Sequence, residues 1–250
     1  MKLKQLTASL IAASALAFGT SAHALTVGGV TWNPDDPFFD FSSTTNLFET
    51  IGLNVGDTFS GYGQITSVNA SGSFCATCQL TYEFGGYTLT SAGLSFTATG
   101  GWLNVYVQDT SDAGYTAFSA GNKSSATDGT LWLSLVGNSN YFGGSTTLAG
   151  TVTIPNSNGA SGQGVGYFDV VGGLAAAYLD TNGQPGGADL TYTSSFQPLN
   201  QPIVNNGVVV ATPSGTNEVL GDSQVPEPAT LALLGLGLVG LGLSRRAKKA

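Results

Sequence analysis

Residues 79–108 read QLTYEFGGYTLTSAGLSFTATGGWLNVYVQ. Leu80, Tyr82 and Phe84 alternate with Thr81 and Glu83, and Tyr87 and Leu89 resume the alternation beyond Gly85-Gly86. A period of two places the apolar residues on one face of a strand and the polar ones on the other. Gly-Gly tolerates the positive φ angles of a tight hairpin, so the stretch predicts two strands joined at Gly85-Gly86. Residues 95–99 and 102–108 repeat the device around Gly100-Gly101. Outward from this centre the same texture recurs at 58–68, 130–136, 147–154, 166–171, 188–196 and 208–211. Short strands separated by turn residues, with no long helical period, predict an all-β chain built as an antiparallel β-sandwich or jelly-roll-like ectodomain. Helix is expected only at 44–50, and 173–179 is open to either form. Pro198, Pro202 and Pro213 punctuate the chain beyond the last strand. The ectodomain is therefore expected to span 25–211 and to pass into a flexible linker over 212–224.

The two ends have a different character. Lys2 and Lys4 precede an apolar run from Leu10 to Phe18, and Ala22-His23-Ala24 follows. This is the layout of a secretory signal peptide over 1–24, a short helix cleaved after Ala24 and handled by the Sec export machinery. At the other end, residues 229–243 form a nearly unbroken apolar run ahead of Arg245, Arg246, Lys248 and Lys249. At ~1.5 Å per residue a helix of that length reaches about 22 Å, short of the ~30 Å hydrocarbon core. Such a short hydrophobic helix suits transient membrane association, and the basic cluster keeps its end on the cytoplasmic side.

Removing both ends exposes a severe composition. Lys123 is the only basic residue between positions 25 and 224, where fourteen Asp or Glu give a formal charge of −13 and His, Arg and Met are absent. Ser-His-Asp and Cys-His catalysis and His-based zinc or copper sites are excluded. Nucleic acid is excluded as a partner, because an acidic surface with one cation repels a polyphosphate. Paired carboxylates for glycoside hydrolysis, such as Glu83 with Asp109 or Asp169, can be drawn from fourteen acids, but nothing selects one pair. The chain is read as a non-enzyme.

Three constellations remain. Cys75 and Cys78 are the only cysteines, and outside the cytoplasm they are expected to form a local disulfide before the 79–84 strand. Redox and metal readings of the same pair lack a following helix and further soft ligands, respectively. Asp180, Asn182 and Asp189, with Gly183 between, resemble the opening of a calcium loop, although the same letters also write an Asx turn without an ion. Apart from this candidate Ca²⁺, no cofactor is expected. Trp102, Asn104 and Tyr106 share one strand face with Gln108, opposite Leu103, Val105 and Val107. A face mixing rings and amides is a candidate glycan contact, and it is equally a candidate core face.

Val225-Pro226-Glu227-Pro228, the short Gly/Leu-rich run and the basic end, taken together, resemble the PEP-CTERM sorting signal over 225–250. The resemblance implies that an exosortase of a Gram-negative bacterium recognises the region around Pro226, Glu227 and Pro228, with Arg245 and Arg246 closing the signal. It also implies retention at the envelope or surface, or release into exopolysaccharide. The ectodomain is similar to flocculation-associated PEP-CTERM proteins through Gly61-Tyr62-Gly63, Phe74-Cys75, Cys78 to Gly86, Gly101-Trp102, Asp180-Thr181-Asn182 and Asp189-Leu190. That second resemblance implies a matrix or cell-aggregation role with exopolysaccharide as partner; the alternative is a lectin-like module, Ca²⁺-dependent if the acidic loop holds the ion.

Overall fold

The computed structural model describes residues 24–36, 39–44, 47–51, 54–109, 123–152, 161–196, 203–205, 208–210 and 215–225. The expected signal helix and C-terminal hydrophobic helix lie outside these residues. No described helix is long and apolar enough to cross a membrane. The chain is all-β and antiparallel.

A hairpin of β1 (Leu25–Val27) and β2 (Val30–Trp32) precedes the main sheet. β3 (Phe39–Thr44) and β4 (Leu47–Ile51) then run in line, antiparallel to β5 (Thr58–Ile65) and β6 (Ser67–Val68), which are also in line. β7 (Cys78–Ser91) and β8 (Ser95–Asp109) form the long central hairpin. After the short helix α1 (Lys123–Ala126), β9 (Thr130–Gly137) and β10 (Thr146–Val152) lie end to end between β8 and β11 (Gly162–Gly172). The one-turn helix α2 (Ala176–Leu179) and a 3-10 turn (Pro185–Gly187) lead to β12 (Leu190–Phe196). β13 (Ile203–Asn205), β14 (Val208–Val210) and β15 (Gly215–Gly221) complete the order.

β14 and β15 close the sheet. β14 pairs with β4 through Val210 and Thr50, and β15 pairs with β3 through Thr216 and Thr44. Counting in-line strands once, β3/β4, β5/β6, β7, β8, β9/β10, β11, β12/β13 and β14/β15 make a ring of eight antiparallel staves in up-and-down order. The two walls expected of a sandwich are thus halves of one closed sheet. Closure removes the unpaired edges that make exported β-proteins prone to aggregation. An eight-stave barrel is just wide enough for side chains to fill. Phe41, Leu80, Tyr82, Leu103, Phe168 and Leu190 fill this one, and the void beside Tyr82, Tyr192 and Asn217 is only about 10 Å³.

Four local expectations are corrected. Gly85-Gly86 and Gly100-Gly101 are not turns: β7 and β8 run through them, and the chain reverses at 92–94. Gly86, Gly100 and Gly101 have φ of 72°, 79° and 90°, so the paired strands kink at one level, where the barrel wall bends. Of the 44–50 stretch expected to be helical, Thr44 and 47–50 lie on the β3/β4 stave, since their pairing partners on β5 and β15 override a weak local preference, and 45–46 lie outside the described residues. Residues 215–221, within the expected flexible linker, are a full strand pairing with both β12 and β3. The body therefore extends beyond residue 211, because β15 supplies the hydrogen bonds that close the ring.

Candidate functional site

The β1–β2 hairpin, the 69–77 connection, α1, α2 and residues 222–225 gather at one pole, here the base. Cys75 and Cys78 form a disulfide immediately before and at the start of β7, with Cα atoms 5.3 Å apart. The Cys75 Sγ packs 3.1 Å from the Gly29 carbonyl oxygen, and Thr31 N–H donates to Phe74 O at 2.8 Å. The disulfide loop is thereby clasped to the β1–β2 hairpin. Gly29 takes φ +89°, a left-handed conformation that glycine adopts without strain.

The Asp180–Asp189 segment is organised by hydrogen bonds. Asp189 is 2% exposed; its Oδ2 accepts Val170 N–H at 2.7 Å, and its Oδ1 accepts the N–H groups of Thr181 and Asn182 at 2.8 and 2.7 Å. Asn182 takes φ 54°, as an Asx-rich turn does. Both carboxylate oxygens thus accept backbone N–H groups, Asp180 is exposed, and the described residues hold no group of three or more metal-ligating acids, His or Cys. Replacing Asp189 with Asn swaps an acceptor for an amide that meets N–H with N–H. Loss of charge-assisted bonds of ~1.5–3 kcal/mol each, partly relieved by rotating the amide, predicts destabilisation by about 3 kcal/mol in urea titration. The loss is expected to be the same in calcium and in chelator.

This loop also receives the C-terminal end of the body. Gln224 N–H donates to Tyr178 O at 2.8 Å, and its Nε2 donates to Asp180 O at 2.8 Å. Gln184 Nε2 donates to Asp222 Oδ2 at 3.4 Å, and Ser223 Oγ to Pro34 O at 3.5 Å. Residues 222–224 are therefore moored to the base rather than free. Ala24 is exposed at the same pole; Ala22, Pro226, Glu227, Pro228, Arg245 and Arg246 lie outside the described residues.

The Trp102 face points outward. Leu103 and Val105 are buried inside the barrel, whereas Trp102, Asn104 and Tyr106 are only partly buried. The indole lies across the two glycines of β7. A Cβ on Gly86 would come within 2.7 Å of Trp102 Cδ1, and one on Gly85 within 3.1 Å of Cζ2. The indole is thus packed on bare backbone and remains partly exposed. Beside it, Ser134 Oγ donates to Asn104 Oδ1 at 2.7 Å, and Lys123 forms an ion pair with Glu83. Burial, and then the Glu83 carboxylate, raise the Tyr106 hydroxyl above its ordinary pKa. Below this patch Gln108 bonds to Thr81 and to Ser125 O, and Thr81 donates to Ala126 O, fastening α1 over the wall.

The outer face bears a second aromatic group that sequence reasoning did not single out. Between β9 and β10 the chain leaves the wall as Asn138-Ser-Asn-Tyr-Phe-Gly-Gly-Ser145. Tyr141, 55% exposed, lies 4.6 Å from the Tyr167 ring, with Phe142 5.6 Å from the same ring. Asn138 Nδ2 donates to Asp169 Oδ1 at 2.7 Å. Adjacent aromatics inside an Asn/Gly turn were the available signal.

A different surface, across β10, β11, β12 and β15, forms a groove of about 800 Å³ lined by Thr151, Gln163, Thr193, Ser195, Thr216 and Glu218.

These features define an antiparallel β-barrel whose described body begins and ends at one pole, with its C-terminal tail starting there. Residues 224–246 match the PEP-CTERM protein-sorting motif, so the chain carries the sorting signal of that class. The motif implies export to the cell envelope or surface of a bacterium and processing by an exosortase. No curated protein and no solved structure is significantly similar to the chain.

Proposed function

We propose that the barrel is a surface or matrix protein of a Gram-negative bacterium, associated with exopolysaccharide and promoting cell aggregation, and that it acts by contact rather than catalysis. The observation that carries this reading is the mooring of Gln224 to Tyr178 and Asp180. It puts the start of the sorting motif at the same pole as residue 24, so the side walls and far pole stand away from the membrane when the tail is engaged. Two further features favour contact over chemistry. The acids that could be paired on paper are committed elsewhere, Glu83 to Lys123 and Asp169 to Asn138, and the void among the described core side chains beside Tyr82 and Tyr192 is only about 10 Å³. Composition adds that Lys123 is the one cation of the body.

Deleting the gene in its host is expected to abolish flocs while polymer secretion stays unchanged. Deleting only 225–250 is expected to release the barrel from the envelope and reproduce the loss. Flocs that persist in both strains would overturn the aggregation role. A lectin-like reading is favoured by the partly exposed Trp102 indole held on Gly85 and Gly86, since a flat ring is suited to stacking on a sugar ring.

A further inference from the structure

We infer that the outer wall holds a glycan-chain site with two aromatic anchors, Trp102 and Tyr141, and that its ligand is an uncharged polysaccharide; this rests on the exopolysaccharide reading above. In the register of the sheet, Gly85, Trp102, Val136 and Asp169 form one row across β7, β8, β9 and β11, and Glu83, Asn104 and Ser134 form the next. Side chains in a row lie on the same face, here the outer one, as the 38% exposure of Val136 shows. Two strand spacings separate Trp102 from Asp169, roughly 10 Å. Tyr167 stands two residues further along β11, still facing outward, with Tyr141 over it. The platform thus starts on the indole, passes Val136, crosses Asp169 and Asn138, and ends on the Tyr141 ring, with the Asn104–Ser134 pair flanking the indole on the side away from Tyr141. It has the extent of a short run of sugar rings rather than of one.

The anchors are held before any ligand arrives. The Trp102 indole rests on Gly85 and Gly86, and Tyr141 rests on Tyr167 while its backbone sits over Gly186, where an added Cβ would lie 2.8 Å from Tyr141 N. Asn140 N–H donates to Asn138 Oδ1 at 2.8 Å and its Nδ2 to Gly186 O at 3.2 Å, fixing the loop. Little ordering entropy then opposes binding.

Charge selects the polymer. The body carries −13, Lys123 is held by Glu83, and Asp169 lies within the platform, so a polyuronate or sulfated chain meets repulsion along its whole length. The hydroxyl-lined groove on the other wall is the weaker competitor. It trades water hydrogen bonds for sugar hydrogen bonds at small net gain and offers no aromatic ring among its described lining residues.

Affinity electrophoresis of the folded barrel decides the matter, with gels containing the host's own polysaccharide, hydroxyethyl cellulose (uncharged) or alginate (a polyuronate). The wild type is expected to be retarded by the host polymer and by hydroxyethyl cellulose and not by alginate. Trp102→Ala and Tyr141→Ala are each expected to weaken binding about tenfold, the usual loss for an aromatic hot spot, and Thr193→Arg in the groove to leave it unchanged. Tyr141→Ala removes an exposed ring and keeps the fold, and Trp102→Phe serves as the graded partner should Trp102→Ala fail to fold. A wild type indifferent to the host polymer would sink the exopolysaccharide reading itself. Retardation that survives both aromatic substitutions, is lost in Thr193→Arg, or is stronger in alginate would overturn the two-anchor site alone. So would loss of a dimer, rather than of polymer binding, in the aromatic variants.

Discussion

Replacing Trp132 with alanine is expected to lower the unfolding free energy by about 4 kcal/mol, within the ~3–5 kcal/mol typical of emptying a buried aromatic site. Trp132 is the largest fully buried side chain of the described core. It stands on β9 at the base and binds the β1–β2 hairpin to the wall in two ways. Its Nε1–H donates to Val27 O at 2.9 Å across 105 positions of sequence, and its ring meets the edge of Trp32 at 5.9 Å and 81°. Trp32 in turn packs against Phe39 at 5.4 Å and Tyr178 at 6.1 Å, so a cavity at Trp132 loosens the seat of both the N-terminal hairpin and the α2 helix that moors Gln224. For a body of this size the loss corresponds to a fall in Tm of roughly 10 °C. Hydrogen exchange is expected to accelerate first in residues 25–32 and only later in β7 and β8. A loss below about 1 kcal/mol with unchanged protection of the hairpin would show that the base is not held by this side chain.

Glu49→Gln is expected to change the pH dependence of stability more than any other single substitution. Glu49 lies on β4 opposite Gly61, which in turn pairs with Phe84, so its side chain shares their inward face. The residue is half-buried, and burial pushes its pKa from 4.5 up to about 7; the Glu49 charge also helps raise the Tyr192 hydroxyl, whose main cause is burial. The folded state therefore holds its proton where the unfolded chain has released it. Stability from this group is complete below pH 4.5, falls as pH rises through about 7, and changes no further above that. The shift corresponds to about 3 kcal/mol at 1.36 kcal/mol per unit. Urea titrations are expected to find the glutamine variant equal to wild type near pH 4 and more stable by up to that amount at pH 8. Parallel stability curves for the two proteins across that range would refute the assignment. Near neutral pH the wild type thus carries a strained carboxyl inside its wall, one that mild acidification relieves.

Several features of this barrel were legible along the chain. The alternation at 79–84 and 102–108 correctly separated Leu80, Tyr82, Leu103 and Val105 from Thr81, Glu83 and Asn104, because a period of two is a property of the extended backbone itself. Gly85-Gly86 and Gly100-Gly101 were misread as hairpin turns for an equally physical reason. Positive φ is required both by a tight turn and by an in-strand kink, and only the partner strand distinguishes them. The 215–221 strand escaped notice because Pro213 and the polar Gly-Thr-Asn-Glu run carry no strand signal of their own; β3 and β12 supply its pairing. Asp189 offered the letters of an ion-binding loop, but the three N–H groups its carboxylate accepts, one of them from β11, were not readable along the chain.

What the amino-acid sequence determined by itself is the address and the chemical poverty of the cargo. A sorting motif is read as a linear segment, and a body without histidine or arginine lacks those groups in every fold. The tertiary structure alone decided that the sheet closes, that Glu49 faces inward, and that Trp102 and Tyr141 share one outer wall. Those outcomes rest on pairings such as Thr44 with Thr216, between residues far apart in the chain. Local periodicity carries no record of such contacts, because their free energy appears only when the whole ring forms at once.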